Sequence, residues 1–500
     1  MYDQNHLISK LRAASVGHDN RRFAEIPGAG DISYHDLFAG AERMAAALVG
    51  LGVTPGDRVA VQVEKTIEAI QLYLGTVMAG GVFLPLNTAY TTPEVAYFLG
   101  DAGPRVVVCD PSREAAIAEI AGAARVMTLD AGGQGTLRAA ADAETGFAPV
   151  ARAADDLAAI LYTSGTTGRS KGAMLSHANL ASNSETLRDY WRFTPDDVLI
   201  HALPIFHTHG LFVATNVALL AGASVVFLAG FDADRILEAM PRATALMGVP
   251  TFYTRLLNDP RLTPERAANM RLFISGSAPL LVDTHRDWLA RTDHTILERY
   301  GMTETNMSTS NPYEGERRAG TVGFALPGVE ARIRHQGQEV PVGEIGVLEV
   351  RGSNVFRGYW QMPEKTAEEL LPDGWFITGD LAKVDAEGYV TIVGRAKDLV
   401  ITGGFNVYPK EIESLIDDLP GVLESAVIGV PHADFGEAVV AVVVPREEGF
   451  EAGSVTEGLR DRLAKFKQPK RVILLPELPR NTMGKVQKKA LREAYADLFA

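Results

Sequence analysis

The stretch ILYTSGTTGRSKGAMLSH, residues 160–177, sets Thr163, Ser164, Thr166, Thr167 and Ser170 around Gly165, Gly168 and Gly172, with Lys171 near its end. Residues 157–162, LAAILY, lead into it as a short apolar run of the kind that forms a buried strand. Closely spaced backbone N–H groups in a glycine-rich turn make an anion-binding nest, and hydroxyls with a lysine add further donors. Polyphosphate is the natural guest. The loop is not a Walker A motif, because Lys171 follows Ser170 and precedes Gly172. The pattern predicts a phosphate loop between a strand and a helix.

On either side of this loop the text alternates in the same way. Residues 33–52, SYHDLFAGAERMAAALVGLG, read as a helix capped by Ser33 and stopped by glycine; DRVAVQV (57–63) reads as a strand, EAIQLYLGTVMAGG (68–81) as a helix and PRVVVCD (104–110) as a buried strand. Residues 113–155 are Ala-rich and read as surface helices and loop. A second series follows at SVVFLAG (224–230), ATALMGVPTFYTRLL (243–257) and MRLFISGSAPL (270–280). Such alternation predicts α/β architecture, with a largely parallel sheet between helices. From about Gly320 short strands take over (VEARIRHQG, GVLEVRG, GYVTIVG), as expected of a small β-subdomain. After GRAKDLV the texture becomes compact α+β, which places a boundary near Lys397, with domains 1–396 and 397–500.

With 500 residues the chain exceeds one core. Its 46% hydrophobic and 22% charged residues are ordinary for a globular protein, and a net charge of −14 argues against nucleic acid as partner. The lone Cys109 excludes an internal disulfide and reads as a buried strand position. The first residues lack the apolar run of a secretory signal. Residues 69–90 and 199–230 carry no Asp, Glu, Lys or Arg, but Gly80, Gly81 and Pro85 break the first, and Pro204 with His201, His207 and His209 interrupts the second. Both read as core rather than membrane span, so a cytoplasmic location is expected.

Three more stretches carry chemistry. ERYGMTET (298–305) puts a tyrosine, a glycine, threonines and Glu304 in a short turn, suited to stacking a base, bonding phosphate and holding Mg²⁺, which takes hard oxygen ligands. Asp380 follows TG and Arg395 follows VG; a carboxylate suits a ribose diol and a guanidinium fork suits hydroxyl or phosphate oxygens. PRNTMGK (479–485) puts Lys485 on a loop after Gly484, in a basic tail. Taken singly, each also fits a capped helix, a turn acid, a surface ion pair or a solvated tail.

Together YTSGTTGRSKG, YGMTET, TGD, GRAKD and PRNTMGK resemble, in order and spacing over nearly the whole chain, the signatures of the adenylate-forming superfamily: acyl-CoA synthetases, peptide-synthetase adenylation domains and luciferases. With GGFNVYPKEIE (403–413), the text is most similar to the malonyl-CoA synthetase branch. The resemblance implies a large N-terminal domain, a small mobile C-terminal domain, and two half-reactions: a carboxylate attacks MgATP to give acyl-adenylate and pyrophosphate, then CoA displaces AMP. It implies that Thr163, Ser164, Gly165, Thr166, Thr167, Gly168 and Lys171 cradle the β,γ-phosphates. Thr303 would contact the α-phosphate and Glu304 hold the metal. Ser277, Ala278, Pro279 and Tyr300 would form the adenine slot, with Glu298, Arg299 and Gly301 of the same stretch at the nucleotide. Asp380 and Arg395 would hold the ribose. Lys485 would bridge carboxylate and α-phosphate, Lys397 would be the hinge, and Gly403, Gly404 and Phe405 would meet the pantetheine.

The acid is read from Arg255. If Thr251 caps a helix, Arg255 lies one turn in, beside an acyl slot that the resemblance sets near His207, Thr208, Ser277 and Met307. A guanidinium in an apolar slot asks for a second carboxylate on the substrate, which favours malonate or methylmalonate. A synthetase for a neutral acid, an adenylation enzyme loading a carrier protein, and an ATP-sensing protein without chemistry stay open as alternatives. Lys485, exposed during a domain swing, is also a candidate target for an acetyltransferase.

Overall fold

The structure, a computed structural model, describes residues 2–163, 170–402, 405–447, 449–460, 462–481 and 484–499. Its largest sheet has a parallel centre that runs Ile296–Met302, Leu272–Ser275, Ala245–Gly248, Val198–His201, Ser224–Phe227 and Arg22–Ile26. Antiparallel strands close both sides: Asn306–Ser310 and Phe324–Ala325 on one, Gly30–Ser33 on the other. A second sheet orders Arg125–Thr128, Val106–Cys109, Arg58–Gln62, Val82–Pro85 and Leu157–Thr163 in parallel, with Lys171–Ser176 antiparallel at its edge. The central strands are buried on both faces, which is why they read as continuous apolar runs. One apolar core joins both sheets through the helices Tyr34–Gly50 and Ile67–Met78, and Cys109 is buried on its strand as expected. Ser33 caps the first of these helices in a reciprocal capping box with Asp36.

An antiparallel sheet, Gln338–Glu339, Val329–His335, Gly346–Gly352, Phe376–Val384 and Val390–Arg395, forms the β-subdomain. Beyond it the strands Val400–Thr402, Phe405–Val407, Val422–His432, Gly436–Pro445 and Arg471–Leu474 make a further sheet with apolar clusters of their own. Among the described residues no helix is long and apolar enough to cross a membrane.

Two local expectations need correction. The phosphate loop does not run from strand to helix: it joins two antiparallel strands in register Thr163↔Lys171, and the helix His177–Tyr190 starts only afterwards. Residues 171–176, KGAMLS, pair along their whole length with the strand before the loop, and Ser176 supplies the helix cap. The Ala-rich stretch also contains a strand, Arg125–Thr128, whose half-exposed edge position hid it.

Candidate active site

The expected nucleotide residues converge where the large sheet meets the β-subdomain. Tyr300 lies on the strand Ile296–Met302, just past its parallel pairing, and donates its hydroxyl to Asp380 Oδ2 at 2.5 Å, while Arg395 Nε pairs with Asp380 Oδ1 at 2.7 Å. Asp380 and Arg395 face each other across adjacent strands, so register alone sets their pairing. Gly301 must be glycine here: a Cβ would lie 1.8 Å from the carbonyl oxygen of Asn306 across the hairpin. That tight hairpin presents Thr303, half-buried, in its turn and leaves Glu304 buried. Ser277 takes a left-handed conformation (φ 70°) and its hydroxyl lies 3.2 Å from His209 Nδ1; Ala278 is half-buried and Pro279 exposed. Glu298 differs from expectation. Its carboxylate accepts the Gly320 N–H at 3.1 Å and lies 3.6 Å from His285, which commits it to bracing the fold rather than to nucleotide.

The Tyr359 hydroxyl oxygen lies 3.0 Å from Glu304 Oε1, and burial pushes the Glu304 carboxyl above the usual range. A buried carboxylate of this kind fits a hard divalent cation, which would reverse the desolvation cost. Lys171 Nζ lies 4.0 Å from the Tyr359 ring centroid and is paired with Glu369 at 3.1 Å. Ser164, Gly165, Thr166, Thr167 and Gly168 lie outside the described residues, as do Gly403 and Gly404. Thr163 is half-buried at the strand end, and Phe405, exposed, stacks on Phe466 with centroids 4.7 Å apart.

Lys485 rides on a tight loop. Its N–H bonds Asn481 Oδ1 at 2.9 Å, and a Cβ at Gly484 (φ 73°) would come within 3.2 Å of Thr251 Oγ1, so the loop rests on the N-terminal end of the helix Pro250–Leu257. The residue is exposed along its stem, but its ammonium tip is withdrawn among protein atoms, close enough to Arg395, Lys397, Asp380 and Asp398 to feel their charge. Desolvation, then Arg395, brings its pKa down to about 8. Lys397 is exposed on the turn Ala396–Asp398, and Asp398 is tied to Arg492 at 2.9 Å.

The acyl pocket holds the main correction. Arg255 is exposed on the outer side of its helix, with its guanidinium 5.4 Å from the Phe231 ring centroid. Thr251 is not the helix cap; Val249 precedes Pro250 at the first turn. The buried guanidinium is that of Arg299, which was expected at the nucleotide. Side chains alternate along a strand, so Arg299 points away from the face that carries Glu298 and Tyr300. It is 3% exposed, and among the described residues its Nε and Nη2 have no hydrogen-bond partner. It fills the space over Gly276, where a Cβ would lie 2.4 Å from Cζ. Burial, only partly offset by nearby Tyr253, lowers its pKa to about 9. His207 feels both Arg299 and Lys485, and burial with these charges holds its ring neutral, with a pKa of about 4.

The residues expected around the acid are hydrogen-bonded in place. Thr208 donates to Asn306 Oδ1 at 2.8 Å, and Met307 is buried with its carbonyl bonded by Asn183. The following π-helix, His209–Thr215, is propped by His201, whose Nε2 lies 3.0 Å from the Gly210 carbonyl oxygen. Buried Lys65 donates to His201 Nδ1 at 3.0 Å, which leaves the imidazole proton on Nε2. Sequence reasoning missed Lys65, Tyr359 and Glu369 because no local motif marks them. For Arg299 a signal existed: period-two alternation against Tyr300, plus a glycine at 276.

The family model for AMP-binding enzymes matches residues 12–360, and that for the AMP-binding enzyme C-terminal domain matches residues 411–485. The ATP-bound MatB from Rhodopseudomonas palustris is 62% identical, covering 99% of this chain and 100% of that one, with a TM-score of 0.97. The apo form of the same protein, at the same identity and coverage, superposes with a TM-score of 0.85. The malonate–CoA ligase of Arabidopsis thaliana is 35% identical over 482 residues, 89% of this chain and 79% of that protein.

Proposed function

The chain belongs to the AMP-binding enzyme family, and from that premise we propose that it is an AMP-forming acid–CoA ligase that makes malonyl-CoA through malonyl-adenylate. The observation that carries the acid is the buried guanidinium of Arg299, whose Nε and Nη2 have no hydrogen-bond partner among the described residues, beside neutral His207. An unpaired buried charge is costly, and a carboxylate remote from the reacting one would offset that cost with a charge-assisted pair. The similarity to malonate–CoA ligases agrees with this. Methylmalonate is the second substrate to expect, its methyl falling near Thr208 and Met307.

In the first half-reaction a malonate carboxylate oxygen attacks the α-phosphorus and pyrophosphate leaves. Asp380 and Arg395 orient the ribose, Thr303 meets the α-phosphate, and the Lys485 ammonium sits where charge grows between carboxylate and phosphate, so it lowers the barrier without reorganising. Mg²⁺ held by Glu304 would supply neutralisation of phosphate charge. In the second half-reaction the CoA thiol attacks the adenylate carbonyl and AMP leaves. Rotation at Lys397 withdraws Lys485 and brings the loop with Gly403, Gly404 and Phe405 to the pantetheine. The domain boundary at 396/397 and a cytoplasmic setting belong to this proposal, as does acetylation of the exposed Lys485. The test is a pyrophosphate-release screen over mono- and dicarboxylic acids, with and without CoA. Malonate should lead, then methylmalonate; a neutral acid in first place would overturn the reading, and turnover indifferent to CoA would overturn the thiol acceptor.

One pH effect follows from Lys485. Its charged form does the work, and its pKa in the free protein is about 8, below its ordinary value. The kcat/KM for adenylation should therefore be full below pH 8 and fall as pH rises through it. Lys485→Arg should flatten that limb while lowering the plateau. An alkaline limb of unchanged position in the arginine variant would assign it to another group.

A further inference from the structure

Lys171 enters the phosphate site already paired. Its ammonium, 7% exposed as a residue, meets both oxygens of Glu369, at 3.3 and 3.1 Å. Glu369 closes the helix Pro363–Glu369, which is the end where the helix dipole disfavours a carboxylate. What stabilises it there is the company: Lys171, Lys365 at 3.0 Å, and the Tyr359 hydroxyl, which donates at 2.6 Å. The arrangement is held by backbone. Trp360 N–H bonds the Gly172 carbonyl at 2.7 Å and Met174 N–H bonds the Gly358 carbonyl at 3.0 Å, so the Tyr359 segment is stitched to the strand that starts at Lys171.

We propose that Glu369 is the counter-ion that Lys171 gives up to the terminal phosphates of ATP, so that this carboxylate sets how tightly nucleotide is held and how readily pyrophosphate leaves. The proposal rests on the ATP-dependent reading above. Two acceptors on one ammonium lie only about 4–6 Å apart. A phosphate oxygen on Lys171 is therefore repelled by Glu369 and competes with it for the same N–H groups. That lowers affinity for ATP, and it lowers affinity for the leaving pyrophosphate in the same measure. Glu369 is thus a positioning residue that acts through Lys171.

Glu369→Gln removes the charge and keeps the shape. The amide oxygen still accepts from Tyr359, and Lys365 keeps Glu368 at 2.7 Å. The KM for ATP and the inhibition constant for pyrophosphate should both fall roughly two- to fivefold, the range of such an ion pair, while the KM for malonate stays put. In a Lys171→Gln background the same change should do little. Unchanged or raised constants would overturn the proposal, and so would an equal effect in both backgrounds. Calorimetric binding of pyrophosphate to both proteins reads the competition without turnover. Malonate-dependent pyrophosphate release by the unaltered protein tests the ligase reading separately, so either can fail while the other stands.

Discussion

Lys485→Ala should cut malonyl-adenylate formation by ~10³-fold or more, since a preorganised donor alone is worth about 10²–10³ and this one carries a full charge. The ammonium stands over the cleft between Asp380 and His207, on a loop that the N-terminal part of the chain touches at Thr251. Nothing else in the described cleft replaces it, because Arg395 is committed to Asp380. Thioester formation from supplied malonyl-adenylate and CoA should be largely spared, since in the proposed mechanism the loop has by then swung away. Single-turnover rates of the two half-reactions decide the matter. Equal losses in both would mean that Lys485 stays in the site throughout, and the domain swing would have to be abandoned.

Arg299→Met should lower kcat/KM for malonate by roughly 10²- to 10³-fold, the consequence of losing one partner of a buried charge pair. Butyrate should lose nothing and gain somewhat, because the pocket becomes apolar. The same substitution should leave the melting temperature unchanged or raise it, since replacing a buried charge whose Nε and Nη2 are unbonded among the described residues by a side chain of similar length relieves desolvation. That combination, a fold that is no weaker with an acid that is no longer recognised, separates a binding role from a structural one. A drop in stability with parallel losses on malonate and butyrate would return Arg299 to the core. Arg255→Ala, by contrast, removes an exposed side chain packed on Phe231 and should leave acid preference alone.

The fold class and the convergence of Tyr300, Asp380 and Arg395 were legible because their signals are local. Apolar runs ending in glycine mark parallel strands and their helices, and Tyr300, Asp380 and Arg395 each sit in a short signature that the fold then brings together. The hairpin nature of the phosphate loop was hidden because KGAMLS is short enough to serve strand or helix, and only pairing with residues 157–163 decides it. The acid pocket was least legible. Arg255 and Arg299 look alike in one dimension, and burial separates them only once the helix Pro250–Leu257 and the strand Ile296–Met302 pack. Glu369 and Lys171 are 198 positions apart, and no pattern in either stretch announces the other.

The helix Pro250–Leu257 has one further consequence. Its N-terminal end receives Gly484 at Thr251, and two residues on, Tyr253 stands beside Arg299. On the proposed reading, the helix beside Arg299 is therefore also the seat on which a swinging Lys485 loop would come to rest. Selectivity and tempo would then share a part: reshaping residues 251–253 to admit a bulkier acid should shift the seat of the Lys485 loop, and with it the interval before the thiol is admitted. An enzyme engineered at this wall would have its clock reset along with its appetite, and the two could be adjusted apart only by compensating on the other side of the contact, at the 484 turn.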